Sequence, residues 1–525
     1  MFAVHELLTR SASKHPRKEA LVSGNRRFSY QAIESASNAL ASFLQKRGIG
    51  QGDAIGIFSN KDIEEVVAIF AIAKIGGVFV HINPHFKERQ LAHVVSDCSL
   101  RVLIVNEYKA KILANAFPEG CPLEFVVLLS GESDGNRARL PETHCLKGIL
   151  RNHSSDTPVR CSPAEDDVAS IIYTSGSTGM PKGTIVTHKI FCDATEVSAS
   201  LLQNTEHDRL ISATPFSFDG SLSQLLTSFL VGGTLVLQQS NFPRDIVRTL
   251  LDERISGFHA VPSLWMMLLS KHSPFPKHRY PDLRYVSIIG EVFPEEGLGQ
   301  LRSILDSVDF HMMYGTTEAF RSTCLMPTEF ERKPSSVGRP LPGVEISIVN
   351  ERGEACGPGE TGEIVHRGLF VSPGYLNNEE VTRETFRGGG VYTGDLGRMD
   401  AEGFLYFVER KDEMIKISGF RVCPTEIEEC LYQMPEVEES VVTSVESEAL
   451  GTALKALICQ KRGAALTESD VVGHCRKILP HYMVPAVVEF ATRLPRTATG
   501  KINRAVLKNG ASAQWGSSSI LPPLA

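Results

Sequence analysis

The residues best suited to grip phosphate sit in one run, Tyr173-Thr-Ser-Gly-Ser-Thr-Gly-Met-Pro-Lys-Gly183. It offers the glycines Gly176, Gly179 and Gly183, the hydroxyls of Thr174, Ser175, Ser177 and Thr178, and the cation Lys182. Glycine lets backbone N–H groups come close to phosphate oxygens, hydroxyls add donors, and the lysine supplies charge. The run follows an apolar stretch that reads as a strand, which separates it from a merely solvated Gly/Ser turn. No glycine directly precedes Lys182, so the Gly-x4-Gly-Lys-[Ser/Thr] pattern of P-loop proteins is not met.

Further along, Met313-Tyr-Gly-Thr-Thr-Glu318 follows a second apolar strand. A ring offers a stacking face for a base, hydroxyls suit phosphate, and a carboxylate suits Mg²⁺. Taken alone, Glu318 also fits a solvated or capping residue. Tyr392-Thr-Gly-Asp395 turns at a glycine, where an Asp can accept two hydrogen bonds from a ribose diol or serve its own turn. The charged run Glu409-Arg-Lys-Asp-Glu413, the segment Lys416-Ile-Ser-Gly-Phe420 and Thr499-Gly-Lys-Ile-Asn-Arg504 complete the set. In isolation a lysine such as Lys501 reads as solvated.

In type and order these motifs resemble those of adenylate-forming ligases: acyl-CoA synthetases, luciferases and the adenylation domains of nonribosomal peptide synthetases. The resemblance spans roughly residues 1–508. It implies ATP and Mg²⁺, with CoA or the phosphopantetheine of a carrier protein as acceptor. Residues Thr174 to Gly179 would hold the β- and γ-phosphates, and Lys182 would neutralise departing pyrophosphate. Gly290 and Glu291 would lie beside adenine, Tyr314 against it, Gly315 and Thr316 within the same segment, Thr317 near the α-phosphate and Glu318 on the metal. Asp395 and Arg410 would take the ribose; the family usually has Gly before that arginine, where this chain has Glu409. Asp412 would be the hinge about which a small domain turns. Lys501 would bridge carboxylate and α-phosphate in the first pose. The loop of Lys416, Gly419 and Phe420 would line the thiol channel in the second.

The acid is expected between the phosphate loop and the Tyr314 segment. Phe216-Ser-Phe-Asp219 resembles the stretch in which amino-acid adenylation domains pair an Asp with the substrate ammonium; the alternative is an Asp bonded within its own loop. Arg321 either meets a second carboxylate or sits at the rim. By analogy Ala260, Ile289 and Met313 line a modest pocket. Val422-Cys-Pro-Thr-Glu-Ile427 leans instead toward acyl-CoA ligases, so the leading reading is an AMP-forming acyl-CoA or acyl-acid ligase. A carrier-loading amino-acid enzyme is one alternative, and a nonenzymatic ligand sensor on the same fold is another. No carrier domain follows Lys501, and a freestanding enzyme is expected. His188, His259 and His311 read as packing or hydrogen-bonding residues.

Those motifs must be held by strands. Short apolar runs, such as Ala54–Phe58, Val78–Ile82, Val102–Val105 and Phe125–Leu129, alternate with helical patterns, which predicts parallel βαβ units. Residues 131–165 are polar and read as an irregular connection. From Pro340 to Phe407 short strands between Gly and Pro suggest a small β subdomain. The fold class is therefore α/β: a large N-terminal domain with that β subdomain (residues 1–408), then a mobile α+β C-terminal domain (409–508) and a disordered tail (509–525). A chain of 525 residues exceeds what one core usually serves.

Composition narrows the partners. With a net charge of −7 there is no general basic field for nucleic acid or an anionic membrane. The eleven cysteines form no CxxC pair, which argues against a zinc cluster or a disulfide framework. The N-terminus lacks the apolar core of a signal peptide, and Val66–Val80 is interrupted by Lys74, so no membrane span and a cytoplasmic location are expected.

Overall fold

The computed structural model of the chain describes residues 3–113, 122–131, 141–152, 161–174, 180–289, 293, 295–410, 414–417, 419–447, 451–461 and 463–494. Two large sheets dominate. One has seven strands in the order Glu142–Cys145, Phe125–Leu128, Val102–Val105, Ala54–Phe58, Val78–His81, Val168–Thr174, Lys182–Thr187. All its neighbours are parallel except the last pair, a hairpin that sets Lys182 opposite Thr174. The other has nine strands, with a parallel centre running Asp309–Tyr314, Tyr285–Ile288, Gly257–Ala260, Arg209–Ser212, Thr234–Leu237 and Glu19–Ser23.

Helices between the sheets build one shared core, and their ends follow from local chemistry. Ser29 caps Tyr30–Lys46 by accepting from Ala32 N–H. Asp62 caps Ile63–Lys74, whose apolar run is buried all round. Lys74 is buried too, and its ammonium meets Glu34 at 2.7 Å. Thr187 caps His188–Leu201, and Gly232, at φ 74°, closes Asp219–Val231. Ile57, Phe70, Phe79, Phe191, Leu222 and Leu235 meet in this core.

A five-stranded antiparallel sheet between Val344 and Arg410 forms the β subdomain. Beyond it lie the hairpin Ile415–Ile417 and Phe420–Val422, the helices Pro424–Tyr432 and Glu468–Ile478, and a three-stranded sheet of Val437–Ser447, Gly451–Gln460 and Val487–Ala491. These last elements have their own core around Val422, Ile427, Val442, Ala456 and Val488. The large α/β N-terminal domain and smaller C-terminal domain thus match the expected fold class. Asp412, the expected hinge, and the tail after 508 lie outside the described residues, and the boundary at 408/409 stays a proposal.

One segment departs from expectation. Within 131–165, Glu142–Cys145 adds a parallel edge strand and Leu146–Asn152 a helix. The strand carries no apolar run, so packing defines it: His144 stands edge-on to Phe43 at 4.9 Å and to Phe125 at 5.5 Å, while Leu146 and Ile149 are buried. Among the described residues no helix is long and apolar enough to cross a membrane. The described cysteines are all free, and most are buried.

Three buried histidines set a pH limit on stability. Burial lowers His81 to about 3 and His188 and His311 to about 4. His188 Nδ1 accepts from Val4 N–H at 3.2 Å, which requires the neutral ring. Between pH 6.5 and 4 the unfolded chain therefore binds more protons than the folded one, so stability falls as pH drops through that window. Each histidine is expected to cost roughly 1–2 kcal/mol by pH 5. Thermal melts at pH 7 and pH 5 check this, and an unchanged or higher Tm at pH 5 contradicts it.

Candidate functional site

Open parallel sheets bind ligands at the carboxyl ends of their strands. Here Thr174, Ala260, Ile289 and Gly315 stand at or just past such ends in the two sheets. Gly315 is needed where it is: a Cβ there would lie 3.1 Å from Phe320 O and 3.3 Å from Arg321 Cα, because residues 316–321 fold back on it. Phe320 adopts φ 44°, and Ser322 N–H returns to Tyr314 O at 3.0 Å.

A cleft opens above these ends. Its apolar half is lined by Asp219, Ala260, Ile289, Thr316, Thr317 and the Gly419–Phe420 turn. Its polar half is lined by Thr174, Lys182, Glu318, Tyr375 and Arg421. Thr174 and Arg421 belong to both, so the halves are continuous. Thr316 Oγ1 is buried there with no hydrogen-bond partner among the described residues. Lys182 Nζ stands 5.7 Å from the centre of the Tyr375 ring.

Glu318 is 5% exposed. Its carboxylate accepts from Tyr375 OH at 2.8 Å and faces Arg421 Nη1 at 3.3 and 3.4 Å. Burial, with that carboxylate beside it, pushes the Tyr375 phenol up and keeps it protonated. Mg²⁺ is usually held by one or two carboxylates and the substrate's phosphates, with waters retained. A single Glu318 beside Lys182 fits that ion.

Tyr314 and Asp395 are brought together: Tyr314 OH donates to Asp395 Oδ2 at 2.7 Å, and Asp395 is fully buried. Gly394, at φ 70°, lies just before it within the strand Gly390–Met399, where the pairing register shifts. Asp395 pairs in register with Arg410 on the next strand, so both proposed ribose residues share one place.

Asp219 is the first residue of its helix, where the helix dipole favours a negative charge. Among the described residues it accepts no hydrogen bond. The alternative of an Asp bonded within its own loop thus finds no support there. The loop before it is tied down from below: the Lys61 ammonium donates to Thr214 O at 3.1 Å and to Ser212 O. Burial lowers Lys61 to about 7, opposed by Glu65.

The expected acid pocket divides in two. Asp219, Ala260 and Ile289 line the main cleft, whereas Met313 and Arg321 line an adjoining cavity. Gly220 and His259 border both. A Cβ on Gly220 would meet His259 Nε2 at 2.7 Å, so glycine lets the helix start approach this strand. His259 was expected to pack or to hydrogen-bond; it does bond Ser287 Oγ through Nδ1 at 2.7 Å, and it also lines the cleft.

The C-terminal domain closes the cleft through the turn at Gly419. Phe420 stacks on Tyr482 at 3.8 Å and meets Phe218 edge-on at 4.6 Å. Gly419 has φ 83°, and a Cβ there would sit 3.1 Å from Val261. Further contacts between the domains are Asn83 Nδ2 to Tyr482 OH at 3.3 Å and Gln90 Nε2 to Glu426 Oε1 at 3.0 Å. Lys416, Gly419 and Phe420 therefore reach the cleft. Ser175, Gly176, Ser177, Thr178, Gly179, Gly290, Glu291, Asp412 and Lys501 lie outside the described residues.

Sequence reasoning missed Arg421, Tyr375 and Lys61. Arg421 carried a signal, a cation directly after the Gly419-Phe420 turn. Tyr375 and Lys61 carried none, because only the fold brings them to Glu318 and Thr214.

The comparisons agree with this geometry. A family model described as AMP-binding enzyme matches residues 8–376, and one described as AMP-binding enzyme C-terminal domain matches residues 426–501. The long-chain-fatty-acid–CoA ligase of Escherichia coli O157:H7 is 27% identical over 533 residues, 96% of this chain and 94% of the relative. Bacitracin synthase 3 of Bacillus licheniformis is 29% identical over 97% of this chain, and the chain spans 8% of that relative's length. The structure of an o-succinylbenzoate CoA synthetase variant from Bacillus subtilis, bound with its product analogue, is 26% identical with a TM-score of 0.83, covering 96% of this chain and 98% of its own. With the first family model running through every strand end that lines the cleft, and the second through most of the domain that closes it, the chain belongs to the AMP-binding enzymes.

Proposed function

We propose that the chain is an AMP-forming acid–thiol ligase with CoA as the leading acceptor. The carrying observation is the convergence on one cleft of Lys182, Glu318 and Thr316 from the large domain with the Gly419–Arg421 turn from the small one. In the first half-reaction a carboxylate oxygen attacks the α-phosphorus of ATP. The bond to the β-phosphate oxygen breaks, and pyrophosphate leaves with its electron pair. Lys182 and Lys501 offset the charge that gathers in this transition state. Glu318 and the phosphates would hold Mg²⁺, which would supply further neutralisation when bound. In the second half-reaction the thiol sulfur attacks the acyl carbon, AMP departs, and the thiol proton passes to solvent.

The o-succinylbenzoate and long-chain-fatty-acid relatives use CoA by name, and they support that acceptor. The test is acid-dependent ATP–pyrophosphate exchange over a panel of fatty, aromatic and amino acids, followed by AMP release with CoA. Exchange with none of them sinks the reading.

One observation favours a second reading, an amino-acid enzyme that loads a carrier protein. Asp219 lines the cleft with no hydrogen-bond partner among the described residues, as an ammonium anchor would. If Asp219→Ala leaves exchange with the best amino acid unchanged, that reading is lost.

A further inference from the structure

The cavity beside the main cleft is small, and its polar groups are incompletely satisfied. Arg321 is 4% exposed and lines it. Its Nη1 donates to Phe320 O at 3.1 Å, and Nε is buried with no partner. Among the described residues no carboxylate lies within ion-pair distance of the guanidinium. Two acceptors on the same wall are also unpartnered, Gln224 Oε1 and Asn204 Oδ1. Gln224 spends its amide N–H on Ile211 O at 2.9 Å, and Asn204 spends its own on Tyr285 OH at 3.2 Å. His259, lowered by burial and by Arg321 to about 3, stays neutral and brings no second positive charge.

Burying a guanidinium with no carboxylate in contact is among the costliest arrangements a fold can keep. Phe320 sits at φ 44° in the turn that places Arg321, so the backbone is itself held in an unfavoured conformation there. Asp219, which lines the main cleft, acts on Arg321 electrostatically but makes no ion-pair contact with it. An acid whose reacting carboxylate lies by Thr316 and Thr317 would pass Asp219 and point its far end at Arg321.

We propose that the acid activated here carries a second anionic group, a distal carboxylate or its equivalent, and that Arg321 binds it. This rests on the activation reading above and names its substrate class. Gln224 and Asn204 line the same cavity, and their unpartnered acceptors suit water or a donor on the substrate beside that group. The pairing makes Arg321 a specificity residue, because an uncharged substrate end leaves the guanidinium buried and unpaired.

The experiment compares matched acids in ATP–pyrophosphate exchange: succinate, glutarate, aspartate, glutamate and phthalate, each against its distal monoamide and its methyl-ended isostere. At least one diacid is expected to exceed both of its partners in kcat/KM by on the order of 10²-fold. Arg321→Gln is expected to collapse that ratio and move preference toward the monoamide. Exchange driven only by acids without a second anionic group overturns the inference and leaves activation standing. A ratio unchanged in Arg321→Gln overturns it too. Exchange with no acid of any class removes the activation reading, and this inference with it. The wild-type ratios decide the matter even where the variant fails to fold.

Discussion

An Arg421→Met variant is expected to lose thioester formation by about 10²-fold while pyrophosphate exchange changes far less. Arg421 is the cation that the small domain delivers to Glu318 in the closed arrangement. Removing one partner of a buried ion pair costs about 3–5 kcal/mol. Arg421 is 15% exposed, so screening by solvent brings the figure just below that range, to about 2–3 kcal/mol, or roughly 10²-fold. Methionine keeps much of the side chain's volume, which confines the loss to charge. The same carboxylate is the proposed Mg²⁺ ligand. Without a metal beside it Glu318 would be a buried anion, and Arg421, which faces it from the small domain, is the cation that would neutralise it. Burst measurement of adenylate, followed by a CoA chase, separates the halves. An equal loss in both would mean that Arg421 acts before the turn, not after it.

Lys501→Ala is expected to give the opposite split. Exchange should fall about 10²–10³-fold, as when one fixed charge is removed from a developing oxyanion. Conversion of a supplied acyl-adenylate to thioester should be nearly spared, since the closed arrangement presents Lys416, Gly419 and Phe420 to the cleft. Lys182→Ala serves as the control, because Lys182 is fixed in the large domain opposite Thr174 in either pose. If Lys501→Ala slowed the thiol step as strongly as exchange, domain alternation would lose its basis.

Much of the architecture was legible because parallel strands buried on both faces write themselves as unbroken apolar runs. Ala54–Phe58, Val102–Val105 and Phe125–Leu128 are of that kind, and each was expected from its residues. Glu142–Cys145 was not, since an edge strand held by ring packing on His144 leaves no pattern. Motif residues placed by a single loop, such as Tyr314 to Glu318, could be assigned roles from order and type. The split of the acid pocket could not. It depends on Gly220 bringing a helix start against His259, a contact between residues 39 positions apart. Arg321 was recognised as either a carboxylate partner or a rim residue. Its burial, which tertiary packing alone decides, speaks against the rim.

The seam between the domains has a kinetic consequence. Among the described residues it is stitched by edge-on ring contacts of Phe420 with Phe218 and of His85 with Phe420, His481 and Tyr482, by the Asn83–Tyr482 and Gln90–Glu426 hydrogen bonds, and by the ion pairs Arg89–Glu429 and Arg421–Glu318. Each of these is worth only a few multiples of thermal energy, and none threads one domain through the other. Such a fastening parts and re-forms without unfolding either half, on the microsecond-to-millisecond clock of rigid-body swings. Turnover can then be gated by how often the lid lifts, and product escape becomes a candidate for the slowest event in the cycle.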